Sequence, residues 1–116
     1  MLLEIRTYRL KPGTREEFVR LMREDAVPLL SRAGIDVVTC GGSLVNEDGH
    51  EEAYLIRAFG SLTEHHEQEK AFYASDAWRH GPREAIVSRI DSYHSIVLEI
   101  SPAAVDALRL APVRPN

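Results

Sequence analysis

Arg6 and Tyr8 lie two residues apart in Leu2 to Leu10, a run that alternates like a β-strand, so both side chains project from one face. Arg57, Tyr54, Tyr93 and His94 fall in two later strand-like runs and complete a set of ligand-binding candidates. A guanidinium is a planar, multidentate donor for a carboxylate or enolate, and a tyrosine can donate a hydrogen bond or stack on an aromatic ring. Brought together in a concave apolar pocket, these groups suit an anionic or phenolic small molecule. In a catalytic role, Arg6 would stabilise developing oxyanion charge, and Tyr8 would orient the substrate or relay a proton. The competing reading pairs Arg6 with Glu4 or Glu99 across the sheet and gives the face only a structural task at a dimer interface. Histidine suits general-base work at neutral pH, but His94 shares strand parity with Ile96 and Leu98 rather than with Tyr93.

Other chemistry finds less support. His65, His66 and Glu69 have the helical spacing of a metal face, yet their run is rich in carboxylates and reads as solvated helix surface. Phe72, Tyr73 and Trp78 read as aromatics packed on a sheet. Cys40 is alone, which excludes an internal disulfide, and no neighbouring residue marks it as a nucleophile. No phosphate-cradling glycine loop or Ser-His-Asp order is present, so no metal or cofactor is expected.

The elements that must hold these residues follow from pattern. Pro12-Gly13 ends the first strand, and Thr14 with Glu17 forms a capping box for a helix from about Thr14 to Ala33, kinked or split by Pro28. Gly34 fits a left-handed cap. Ile35 to Val45 is a strand in which Gly41-Gly42 reads as a bulge, and Asn46 to His50 is a turn leading to a strand over Glu52 to Gly60. Ser61 and Glu64 cap a polar helix from Leu62 to about Tyr73, whose buried stripe must be thin. Ser75 caps a short helix, Gly81-Pro82 interrupts it, and Arg83 to Ile90 resumes helical spacing. Asp91 to Ile100 is the last strand. A tail over 101–116 contains Pro102, Pro112 and Pro115 around one short helix, Ala103 to Leu110.

The order βαββαβ is the ferredoxin-like split arrangement, an α+β fold with an antiparallel sheet and helices on one face. The expected bare face carries Glu4, Arg6, Tyr8 and Leu10 on the first strand and Tyr93, Ser95, Val97 and Glu99 on the last. For the third strand, Tyr54, Ile56 and Ala58 compete with Leu55, Arg57 and Phe59. A mixed aromatic and charged face calls for a second copy of the chain, so the expected partner is itself, as a homodimer.

Glu4 to Gly13 (EIRTYRLKPG) resembles the opening strand and turn of NIPSNAP-family proteins. Ala71 to Trp78 (AFYASDAW) is similar to their Phe-Tyr-x-Ser-x-x-Trp helical motif, and Ile90-Asp91-Ser92 resembles the start of their last strand. The resemblance covers about Leu2 to Ile100, hence a domain over 1–100 and a tail over 101–116. It departs from the family pattern at His80 to Arg83, where Gly81-Pro82 interrupts the helix. It implies a dimeric α+β barrel with a pocket in each subunit. The wider superfamily implies a cofactor-independent monooxygenase or isomerase; the alternative is a non-catalytic dimeric interaction module.

Composition sets the outer bounds. A chain of 116 residues that is 44% hydrophobic and 28% charged belongs with soluble globular domains, and a net charge of -4 offers no basic footprint for nucleic acid or anionic lipid. No apolar run is long enough for a membrane span, and Glu4 and Arg6 spoil any signal peptide, so the expected location is cytoplasmic.

Overall fold

A computed structural model describes residues 1–110. Four antiparallel strands, β1 (Leu2–Leu10), β2 (Asp36–Gly42), β3 (Glu51–Phe59) and β4 (Ile90–Glu99), form one sheet in the order β2-β3-β1-β4. This is the ferredoxin-like α+β topology, with β1 central between β3 and β4. Helices α1 (Arg15–Leu21), α2 (Val27–Arg32), α3 (Leu62–Ala74), α4 (Asp76–Arg79) and α5 (Arg83–Val87) form a layer on one face. A final helix of nine residues, α6 (Pro102–Leu110), packs on the opposite face, where fully buried Val105 clusters with Leu3, Val38 and Ala58.

The expected assignment of the two faces is reversed. Tyr8, Leu10 and Leu55 join Phe18, Leu30, Phe72 and Trp78 in the core beneath the helices, and Glu4, Arg6, Arg57 and Phe59 share that side. Leu3, Ile5, Ile56, Ile96 and Leu98 stand on the other side, partly covered by α6. Apolar alternation assigns the charged face of β1 to the exterior. That rule fails here because α3 supplies opposite charges that allow the charged face to be buried.

Local signals account for most element ends. Between α1 and α2 the helix widens into one π-helical turn, Met22–Ala26, in which the Val27 N–H bonds to the Met22 carbonyl; this turn accommodates Pro28 at the start of α2 without breaking the helix. Gly34 has a φ of 82°, the left-handed cap that follows α2. Ser61 Oγ accepts from the Glu64 N–H at 3.1 Å while the Glu64 carboxylate accepts from the Gly60 N–H at 3.1 Å, and Ser75 Oγ accepts from the Trp78 N–H.

Two local expectations fail. Thr14 makes no cap: its hydroxyl donates to the Lys11 carbonyl, and Glu51 instead accepts from the N–H groups of Gly13 and Arg15, at 2.7 and 2.9 Å. The β2 irregularity lies between Val37 and Thr39, not at Gly41-Gly42. Gly41 is needed for a different reason, since a Cβ there would sit 2.8 Å from the Tyr54 hydroxyl. Pro112 and Pro115 lie outside the described residues.

Candidate functional site

Helix α3 presents His65, Glu69 and Tyr73 at intervals of four residues, which places them on one helical stripe. Facing them from the sheet are Glu4 and Arg6 of β1 and Arg57 of β3, with Glu4 and Arg57 in direct register. The stripe and the strands interlock through charge. Glu4 receives Arg57 Nη2 at 2.8 Å and Arg6 Nη2 at 3.1 Å, and Glu69 receives the same two guanidiniums at 3.1 and 3.3 Å. His65 Nε2 lies 3.2 Å from Glu69 and 3.5 Å from Glu4. Tyr73 Oη accepts from Arg6 Nη1 at 3.1 Å and from Arg57 Nη1 at 2.9 Å, while Arg6 Nε donates to Ser95 Oγ at 2.8 Å.

Burial makes this cluster electrostatically demanding. Glu4 and Arg57 are fully enclosed, at 1% and 0% exposure. Burial alone would raise the Glu4 pKa, but its hydrogen bond with Glu69 and the charges of Arg57 and Arg6 outweigh that and hold it at about 2. Glu69 moves the other way. Burial and the hydrogen bond to Glu4 raise it to about 7, against the pull of Arg57. The two carboxyl groups therefore share one proton in the acidic range, with Glu69 as the member that releases it near neutrality.

A cavity of about 660 Å³ opens between the sheet and the helix layer beside this cluster. Its polar wall is formed by Arg6, His65, Glu69, Tyr73 and Tyr93, and its apolar wall by Tyr8, Met22, Leu30, Leu55, Trp78 and Ile86. The π-helical turn contributes to that wall through Met22 and Ala26. Exposed His66, Lys70 and Arg83 line the solvent end. Rings order the interior: Tyr73 meets Trp78 edge-on at 5.5 Å, Tyr8 lies 5.0 Å from Phe18, and the Arg6 guanidinium stands 5.0 Å from the Tyr93 ring. Burial and the neighbouring Tyr73 raise the Tyr8 pKa, which keeps its hydroxyl neutral.

Of the residues singled out from sequence, Arg6, Tyr8 and Tyr93 meet at this cavity, on the helix side of the sheet rather than the bare side. Arg57 stands behind the wall and touches Glu4, Glu69 and Tyr73 instead of the cavity. Tyr54 and His94 are registered with Thr7 on the opposite face and do not line it. The Arg6–Glu4 pair of the competing reading is present as well. From sequence, His65 and Glu69 read as solvated helix surface and Tyr73 as packed on the sheet; instead His65 and Glu69 face Glu4 and are largely covered, and their spacing with Tyr73 on a helix with almost no apolar stripe was the available signal. Glu4, His65 and Glu69 bring ligand atoms within 4.8 Å of one another, a spacing that a metal ion can use. Arg57 Nη2, at 2.8 and 3.1 Å from the two carboxylates, already brings positive charge to that point.

The fold and cavity define a class, a ferredoxin-like α+β domain with an enclosed polar cluster between sheet and helices. The NIPSNAP family model matches residues 3–102, and the chain belongs to the NIPSNAP family. A crystal structure of an uncharacterized NIPSNAP domain protein from Burkholderia xenovorans superposes with a TM-score of 0.74 at 19% identity, covering 88% of this chain and 96% of that one. A NIPSNAP family protein of unknown function from Agrobacterium tumefaciens gives 0.75 at 24% identity, covering 88% and 92%. The fold likeness extends to a structure described as an antibiotic biosynthesis monooxygenase, with a TM-score of 0.54 at 13% identity and coverage of 88% and 100%. A search of curated protein sequences gives no match.

Proposed function

We propose that the cavity binds a small anionic or aromatic molecule and moves a proton between that molecule and Glu69. The observation that carries this reading is a carboxyl group with a pKa of about 7 on the polar wall of a cavity whose other wall is aromatic and aliphatic. In the ionised state, Glu69 accepts the proton of a phenol or of an enolisable C–H; the bonding pair stays on the molecule, and a new O–H forms on Glu69. Arg6 and Arg57 balance the charge that results. This step is common to the two activities considered: an isomerase returns the proton to another atom, and a cofactor-independent monooxygenase passes the electrons to dioxygen. Lys70 and Arg83 at the solvent end favour entry of anions.

The test uses 1-indanone, an enolisable aryl ketone, in deuterium oxide. Proton NMR should show exchange next to the carbonyl faster than in buffer, and Glu69→Gln should return it to the buffer rate. Exchange at the buffer rate with the intact protein would refute proton transfer.

A homodimer belongs to the same proposal. Among the described residues β4 is an edge strand with one side of its backbone unpaired, and Ile96, half exposed, continues the Ile5 and Ile56 face beyond α6. Light scattering should give twice the mass of the chain, and a monomer would count against it. Were neither exchange nor binding found in a confirmed dimer, the non-catalytic module would be the better reading. Among the described residues, no helix is long and apolar enough to cross a membrane. Cys40, whose pKa burial raises, fits the reducing cytoplasm we propose as location.

A further inference from the structure

Every donor nitrogen of Arg6 already has an acceptor: Nε serves Ser95, Nη1 serves Tyr73, and Nη2 serves Glu4 and Glu69. Four of its five N–H groups are thus committed to the protein, which leaves no free fork although Arg6 lines the cavity. Tyr73 is in the opposite situation. A phenolic oxygen offers two acceptor positions and one proton. Two guanidinium N–H groups take both acceptor positions, at 3.1 and 2.9 Å, and a guanidinium cannot accept a hydrogen bond in return. Among the described residues the hydroxyl donates to no partner, and Tyr73 is one of the residues that line the cavity. Two charged donors also polarise the O–H, which strengthens it as a donor. The ring cannot swing away easily, since Phe72 and Trp78 hold it edge-on at 5.1 and 5.5 Å.

From this we infer that Tyr73 donates the hydrogen bond that binds the oxygen of the ligand, with Arg6 and Arg57 as its positioning residues. The ligand class is a flat apolar body bearing a carbonyl, enolate or phenolate oxygen. A carboxylate-only ligand, which would need a free guanidinium fork, is disfavoured. The inference rests on the cavity reading above and replaces Arg6 with Tyr73 as the group in contact with the oxygen.

The experiment is calorimetric titration with 1-indanone and with indane, its analogue lacking oxygen, together with infrared spectroscopy of bound carbonyl-labelled 1-indanone. The intact protein should prefer 1-indanone by about tenfold, the effect of one polarised hydrogen bond. Its carbonyl stretch should shift to lower frequency on binding. Tyr73→Phe should erase both the preference and the shift while leaving indane affinity unchanged. If Tyr73→Phe does not fold, 3,5-difluorotyrosine at position 73 keeps both acceptor positions and makes the hydroxyl a stronger donor. The carbonyl stretch should then move further down, and an unchanged stretch would overturn the assignment. Retention of the preference in a folded Tyr73→Phe would overturn it too, leaving the cavity reading intact. Binding of neither compound by the intact protein would sink both.

Discussion

Replacing Glu69 with glutamine removes one titrating group while keeping its shape, and the consequence can be worked out from the cluster. On folding, Glu4 moves from 4.5 to about 2 and Glu69 from 4.5 to about 7. A carboxyl whose pKa falls on folding supports the fold above its unfolded value, and loses that support as pH drops through the folded value. A carboxyl whose pKa rises supports the fold below its unfolded value, and loses that support as pH climbs through the folded value. The pair is therefore most stabilising near pH 4.5, where it holds one proton. At about 1.4 kcal/mol per pKa unit, taking Glu69 through its titration withdraws about 3 kcal/mol of stability. Urea denaturation at about pH 5 and about pH 8 should show the unfolding free energy of the unmodified protein falling by about 2 to 3 kcal/mol more than that of Glu69→Gln. Histidines away from the cluster are common to both proteins and cancel in the comparison, and His65→Asn in both removes from the difference the histidine that lies 3.2 Å from Glu69. Equal slopes in the two proteins would refute the shared proton, and with it the assignment of Glu69 as the group that ionises near neutrality.

Arg57→Met should cost about 3 to 5 kcal/mol by the same denaturation assay, because it strands the buried Glu4 carboxylate without its closest cation. Gly81→Ala should lower the melting temperature measured by circular dichroism, by an amount corresponding to about 2 kcal/mol or more, since a Cβ at 81 would stand 2.2 Å from the Ala77 carbonyl oxygen. Val105→Ala should cost about 2 kcal/mol in urea denaturation, from lost burial against Leu3, Val38 and Ala58.

The fold was legible because its signals are local. Ser61 and Ser75 cap the helices they precede, Gly34 ends the first helical run, and the four strands alternate clearly enough to give element order and class. The face of the sheet was not legible, since it depends on what α3 and α6 bring from a distance. Leu3 and Ile5 look like core by composition, but it is Val105 and the α6 surface that cover them. Glu4 and Arg6 look like surface until His65, Glu69 and Tyr73 are set opposite them. The same long-range pairing decides which of the candidate residues come together. Arg6, Tyr8 and Tyr93 were visible as residue types on strands, whereas Glu69 and Tyr73 act only through partners that the folded chain provides.

The central position of β1 also shapes how the molecule must assemble. Leu2 pairs with Phe59 on one side and with Glu99 on the other, so the middle of the sheet waits for chain made much later. The pairings that fix β1 in the sheet are all long-range ones to β3 and β4, which predicts that the sheet closes late relative to the helices. Until α3 and β3 dock, Glu4 and Arg6 remain solvated, and a premature collapse that buried them without Arg57 and Glu69 would be penalised. The charged cluster thus acts during folding as a register check, admitting β1 to the interior only when its partners have arrived.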